Sequence, residues 1–251
     1  MTFDEGRRTV LVIGATGNQG GGVVEHLLDS DRWQVRGMTR GPESSVSRRL
    51  TERGVEMVRG DMDDAASLRA AMEGVYGVFS VQGQAPASDP MYEARQGKAV
   101  VDTAVSAGVE HLVYSSSCGA KEPDRGVSYW DAKRAVAEYL TGSDGMDWTI
   151  VRPVSFMENY VGDTAALDRG VITGMLTPDK TLQVISGHDI GRWVVAAFER
   201  RDEFAGQAID IAAETITMDG IAAALGGVIG HEIVYRPLAP AVSASAEESA
   251  I

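Results

Sequence analysis

Glycines at positions 14, 17 and 20 are the residues of this chain best placed to hold a phosphate. They follow residues 9–13, a continuous β-branched apolar run that reads as a strand buried on both faces. They open a helix on which Val23, Val24, Leu27 and Leu28 share one side. In this setting VLVIGATGNQG has a physical meaning: Gly14 takes the tight turn, Gly17 lets backbone approach a pyrophosphate, and Gly20 lets helix and strand pack closely. The free N–H groups of the first helical turn then face negative charge. Thr16, Asn18 and Gln19 complete the expected dinucleotide cradle. A turn of purely structural purpose is the competing reading.

The end of the second strand separates NAD from NADP. An acid there would bind a ribose 2′-hydroxyl, whereas an arginine suits a 2′-phosphate. The sequence runs Gly37-Met38-Thr39-Arg40, without an acid, and a guanidinium can grip phosphate as a fork. NADP(H) is therefore the expected cofactor, with NAD(H) second; Arg40 as a plain surface residue is the alternative. Further along, Tyr129 and Lys133 are four residues apart on an expected helix and so share a face. Ser117, with Ser116 one register away, lies at the carboxyl end of an expected strand, where ligands sit in open α/β sheets.

The elements that must position these residues alternate along the chain. Strands are expected at residues 9–13, 33–38, 55–59, 75–81, 111–115 and 149–151, the last stopped by Pro153. Helices fall between them at 44–53, from Asp63 or Asp64 to about 72, at 91–107 with Gly108 as the stop, and at 129–140. Helical crossovers return each strand in the same direction, and their right-handedness puts helices on both sides. The expected fold is α/β: a doubly wound parallel sheet (Rossmann) over residues 1–153. A small C-terminal substrate-side lobe follows over 154–239, with elements returning to the sheet, then a flexible tail over 240–251. Within the lobe, strands are expected at 182–185, 207–211 and 232–236 and helices at 190–200 and 218–229.

Composition narrows the function classes. Acidic residues outnumber basic ones 36 to 23, for a formal charge of −13, which disfavours direct nucleic-acid binding. Arg48, Arg49 and Arg53 read as a solvated helix face. The sole cysteine, Cys118, excludes an intrachain disulfide and is expected to be buried and inert. The four histidines are scattered without ligand spacing, so no metal site is expected. Apolar runs are too short to span a bilayer, and residues 1–8 are charged, so the expectation is a soluble cytoplasmic protein with no membrane contact. A homodimer or a regulatory protein partner remains open.

Several motifs carry a family likeness: GATGNQGG, MTR after the second strand, GDMDD after the third, VYSSS on the fifth, then YWDAK, DWTIVRPVSFMEN and HDIGRW. Over roughly residues 9–236 the sequence resembles the NmrA-like group of atypical short-chain dehydrogenases/reductases. The resemblance implies that Asp61 and Met62 border the adenine. Val81, Gln82 and Gly83 would line the ribose side, and Pro153 to Phe156 would lie near the nicotinamide. It implies a catalytic set in which Ser117 orients a substrate carbonyl and Tyr129 gives or takes the proton. Lys133 would bind the nicotinamide ribose and lower the tyrosine pKa. Many proteins of this group lack the tyrosine, and Tyr129 beside Trp130 also reads as an interface or core residue. Phe156, Met157, Asn159 and Tyr160, with Met175 and Trp193, form either a substrate wall or ordinary core; a wall of this kind suits an apolar, aromatic or quinonoid substrate. Three functions follow: an NADPH-dependent reductase of a small apolar carbonyl, quinone or conjugated double bond; a non-catalytic NADP(H) redox sensor; or an epimerase or dehydratase that uses the nicotinamide transiently.

Overall fold

The computed structural model describes residues 6–83, 89–122 and 128–238. The chain begins with strand β1 (Arg8–Ile13), helix α1 (Asn18–Asp29), β2 (Trp33–Thr39), α2 (Ser45–Glu52), β3 (Glu56–Arg59), α3 (Ala65–Met72) and β4 (Gly77–Ser80). It continues through α4 (Tyr92–Ser106), β5 (His111–Ser115), α5 (Ser128–Thr141), β6 (Asp147–Pro153) and the two-residue β7 (Ser155–Phe156). After a 3-10 turn come α6 (Thr164–Asp168), β8 (Val171–Gly174) and β9 (Thr181–Ile185). The last elements are α7 (Gly187–Glu199), α8 (Arg201–Phe204), β10 (Gln207–Ile211), β11 (Glu214–Thr217), α9 (Met218–Ile229) and β12 (Val234–Pro237).

By contacts the described residues form two units, one within 6–156 together with 185–212, the other of 157–184 with 213–238. The span expected as a lobe, 154–239, is thus divided: residues 185–212 belong with the sheet, to which β10 adds a strand beside β6. The 240–251 segment lies outside the described residues.

In the first unit a seven-stranded parallel sheet has the order β10-β6-β5-β4-β1-β2-β3. The alternation of β1 explains its two-sided burial: Val10 and Val12 pack with α1 and α7 residues such as Val23, Leu27, Ile190 and Phe198. Leu11 and Ile13 pack on the other side with Leu68, Met72, Val100 and Leu140 of α3, α4 and α5. Fully burying such side chains stabilises by roughly 1.5–3 kcal/mol each. The chain winds outward from β1 in both directions, through β2 one way and β4 the other. A crevice therefore opens beyond the carboxyl ends of β1 and β4.

The second unit is smaller. Its core gathers Leu167, Ile172, Val184, Met218, Ile221, Ala222, Ile233 and Tyr235. There β11 pairs antiparallel with β9, and β12 pairs parallel with β8. The pattern had shown neither α6, β8 nor β11, each only four or five residues long. Such pieces are too short for a period to declare itself.

Candidate functional site

The glycine turn is built by steric necessity. Gly14 has φ +72°, a left-handed conformation that favours glycine, and accepts a hydrogen bond from Gly17 N–H at 2.9 Å. A Cβ on Gly20 would lie 2.1 Å from the Gly14 carbonyl oxygen, so α1 can lie against the turn only with glycine there. Gly17 is the N-cap of α1; no side chain caps that end, and its first turn holds no acid. Amide donors are thus left facing outward with the positive end of the helix dipole behind them.

These groups open into a cleft of about 800 Å³ at the carboxyl ends of the strands, a size ordinary for a cofactor site. Gly14, Thr16, Gly17, Asn18, Gln19 and Gly20 line it, as do Arg40, Asp61, Met62, Val81, Gln82, Gly83 and Phe156. Pro153, the last residue of β6, is buried and is not among the lining residues; neither are Ser117, Tyr129 and Lys133. Thr39, Ser44, Tyr92 and Gln96 are among the lining residues not expected from the sequence to belong to the site. Ser44 carried a signal, since its side chain caps α2 by accepting from Ser47 N–H at 3.1 Å. Tyr92 and Gln96 carried none: nothing in a helical period says that a first turn faces a cleft.

Gln82 is 6% exposed and its Nε2 donates to Ser80 Oγ at 2.8 Å, while its Oε1 is buried without a partner. The Arg40 guanidinium is exposed, and no carboxylate pairs with it among the described residues. Its backbone carbonyl accepts from Arg59 at 2.8 Å, which fixes the chain at the end of β2. Asp61 is turned inward on its own loop, its Oδ1 accepting from Asp63 N–H at 3.1 Å. Outward amides, an unpaired guanidinium and an unmatched buried acceptor fit a phosphorylated dinucleotide. Buried polar groups without partners are otherwise scarce in native folds.

The three serines at the end of β5 part company. Ser115 is buried and donates from Oγ to Gln19 Oε1 at 2.6 Å, tying β5 to the glycine turn. Ser116 is buried too, its N–H donating to the Val151 carbonyl at 2.9 Å. Ser117 is half-buried, and its hydroxyl has no partner among the described residues. Next to it, the Cys118 Sγ donates to the Arg152 carbonyl at 3.1 Å, and burial pushes its pKa up. It is half-buried rather than buried.

Trp130 docks α5 beside this turn: a Cβ on Gly119 would lie 2.1 Å from the indole. Tyr129 is 45% exposed, its ring 5.4 Å from that of Trp130. Burial raises its pKa, and the Glu93 charge adds to the rise. Among the described residues no hydrogen bond joins Tyr129 to Lys133 or Ser117. Lys133 Nζ instead donates to Glu93 Oε1 on α4 at 2.6 Å. The Lys133 ammonium thus stands on the same Glu93 carboxylate whose charge raises the Tyr129 pKa.

Met157 and Tyr160 pack on the core of the second unit, where Met175 is 73% exposed. His26 and His188, distant in sequence, meet with ring centroids 4.3 Å apart. No three His, Cys, Asp or Glu side chains converge on a metal-sized site among the described residues. No helix among them is long and apolar enough to cross a membrane.

A model of the NmrA-like family matches residues 6–248. The chain belongs to that family. It is 31% identical over 232 residues to a (4-alkanoyl-5-oxo-2,5-dihydrofuran-3-yl)methyl phosphate reductase of Streptomyces griseus, covering 91% of this chain and 77% of that one. With an NmrA-like family domain-containing oxidoreductase of Cladobotryum sp it shares 32% identity over 177 residues, 66% of this chain but only 50% of the relative's length. Among solved structures it is similar to an NADPH-dependent quinone oxidoreductase of Escherichia coli complexed with NADPH, with TM-score 0.74, 25% identity and coverage of 92% and 78%. It is also similar in fold to NmrA, a negative transcriptional regulator in complex with NADP, at TM-score 0.78, 21% identity and coverage of 92% and 74%.

Proposed function

We propose that this protein is an NADPH-dependent oxidoreductase of the short-chain dehydrogenase/reductase type. Its acceptor is a small apolar carbonyl, quinone or conjugated double bond. One observation carries the reading: an uncapped helix N-terminus and an unpaired Arg40 line the same cleft. The reductase activities named for the Streptomyces and Escherichia relatives, one of them bound to NADPH, support it.

When bound, NADPH supplies a hydride to the acceptor carbon. The amides of the α1 turn hold the diphosphate, and Arg40 holds the 2′-phosphate. Phe156, which lines the cleft at the end of β7, would cover the nicotinamide side. The free Ser117 hydroxyl orients the acceptor oxygen by donating to it. Tyr129, protonated at neutral pH, would supply the proton that completes the reduction.

A second reading, the NADP(H) sensor, draws on the Tyr129 and Lys133 geometry, in which the two are not joined, and on the regulator NmrA. Mixing the protein with NADPH and a panel of quinones, enones and aldehydes, while following nicotinamide absorbance, separates the two. A reductase consumes NADPH with at least one acceptor. Tight binding with no consumption across the panel identifies a sensor, and substrate conversion without net cofactor change identifies an epimerase or dehydratase.

A further inference from the structure

The first turn of α4 faces two ways. Tyr92 and Gln96 line the cleft, where Gln96 Nε2 donates to Asp63 Oδ2 at 2.9 Å and to Tyr92 Oη at 2.8 Å. Glu93, between them in sequence, reaches α5 instead. Its side chain is 3% exposed and that of Lys133 is 14% exposed. Such a carboxylate is held out of water at a cost of several kcal/mol unless it is paired, and its place in the first turn of α4 adds the favourable helix dipole. The two helices come close enough for this contact at Gly97, where a Cβ would lie 2.4 Å from Val136 Cγ2. Neither Glu93 nor Lys133 has another charged partner among the described residues.

We propose that Glu93 is the positioning residue for Lys133: it holds the ammonium at the first turn of α4, the same turn that lines the cofactor cleft. This rests on the reading of Lys133 as a cofactor contact. A lysine stem is flexible and its ammonium is a point charge without preferred direction. One buried carboxylate therefore selects where that charge stands. Because Tyr92 and Gln96 lie on the same helix as Glu93, the cleft wall and the lysine are set by one element.

The test uses the full chain with Glu93→Gln and Glu93→Asp. It reads melting temperature, NADPH affinity by calorimetry, and kcat and KM with whichever acceptor the wild type reduces. Glu93→Gln is expected to weaken NADPH about tenfold and to lower kcat about tenfold, with acceptor KM unchanged, since misplacement by an ångström is costly. A folded Glu93→Gln with wild-type affinity and kcat overturns the proposal. If that variant does not fold, Glu93→Asp decides, because it keeps the charge balance but retreats by one methylene. It should lower kcat several-fold at unchanged acceptor KM, and wild-type values there overturn the proposal. If the wild type turns over no acceptor, the reductase reading fails and NADPH affinity alone judges Glu93. A tenfold weakening supports it, and no change refutes it.

Discussion

The two edges of the parallel sheet treat polar groups in opposite ways. At the amino ends the protein supplies its own partners. The Arg8 guanidinium lies 3.9 Å from the Tyr76 ring centroid, and that ring stacks on Trp33 at 5.5 Å. His111, first residue of β5, shares a hydrogen bond with Thr149 Oγ1 at 2.9 Å, and Arg201 binds Asp147 at 2.7 Å and Glu110 at 2.6 Å. The two ring nitrogens left over there, Trp33 Nε1 and His111 Nδ1, belong to rings packed against aromatic neighbours. At the carboxyl ends, among the described residues, the N-terminus of α1 has no side-chain cap, the Arg40 guanidinium no carboxylate and Gln82 Oε1 no donor. An edge whose charged groups are paired within the protein contributes to stability, whereas an edge that leaves a guanidinium and helix amides open is built for something that arrives later. Mutations at the two edges should therefore separate binding from stability.

The strongest break should come at the glycine turn. Gly20→Ala forces a methyl into the Gly14 carbonyl, which is backbone and cannot swing aside. Dinucleotide affinity should fall by at least about a hundredfold, or roughly 2.7 kcal/mol, as read by calorimetry. Retained affinity would mean that the turn is not the cradle.

At the opposite edge, burial lowers the pKa of His111 from 6.5 to about 4. Between those values the unfolded chain takes up a proton that the native protein refuses. Stability should thus be insensitive to this group above pH 6.5, fall as pH drops from 6.5 toward 4, and level off below, by on the order of 3 kcal/mol in all. Urea unfolding of wild type and His111→Leu across that window checks this. The two should converge toward acid pH, and parallel curves would refute it.

How much of this contrast the sequence revealed differs between the edges. The carboxyl edge was legible because its chemistry is written locally. Three glycines after a buried strand, and Arg40 at the end of the next, need no knowledge of distant partners. The parallel, doubly wound sheet followed from alternation alone, and α9 and β10 have the bounds that periodicity predicts. The amino edge was illegible, since Arg201 meets Asp147 and Glu110 across 54 and 91 residues. Glu93 was missed for the same reason: an acid in a first helical turn reads as a dipole partner, and only the packing of α4 on α5 shows that Lys133 is its target. That Lys133 serves Tyr129 is what the family resemblance implies, and the four-residue spacing says only that the two share a helix face. Helical spacing allows that contact but does not compel it.

A sharper test of the open edge is Arg40→Ala. With no acid at the end of β2 to bind a ribose 2′-hydroxyl, the loss should be selective: NADPH weakened about ten- to a hundredfold, NADH changed less than about twofold. Equal losses for the two dinucleotides would make Arg40 a surface residue and leave the cofactor preference without a cause.

The smallest effect, and the cleanest control, is Arg201→Ala. Removing the guanidinium leaves Asp147 and Glu110 without their shared cation, but all three side chains are about a third to a half exposed, so water screens what remains. The expected loss is about 1 kcal/mol, seen as a lower urea midpoint with an unchanged slope. Dinucleotide affinity should stay within about twofold, because a strand of six or so residues, about 20 Å, separates that end of the sheet from the cleft. If Arg201→Ala weakened NADPH as much as Arg40→Ala does, the two edges would not be independent. The unpaired groups at the carboxyl ends could then no longer be read as set aside for a ligand.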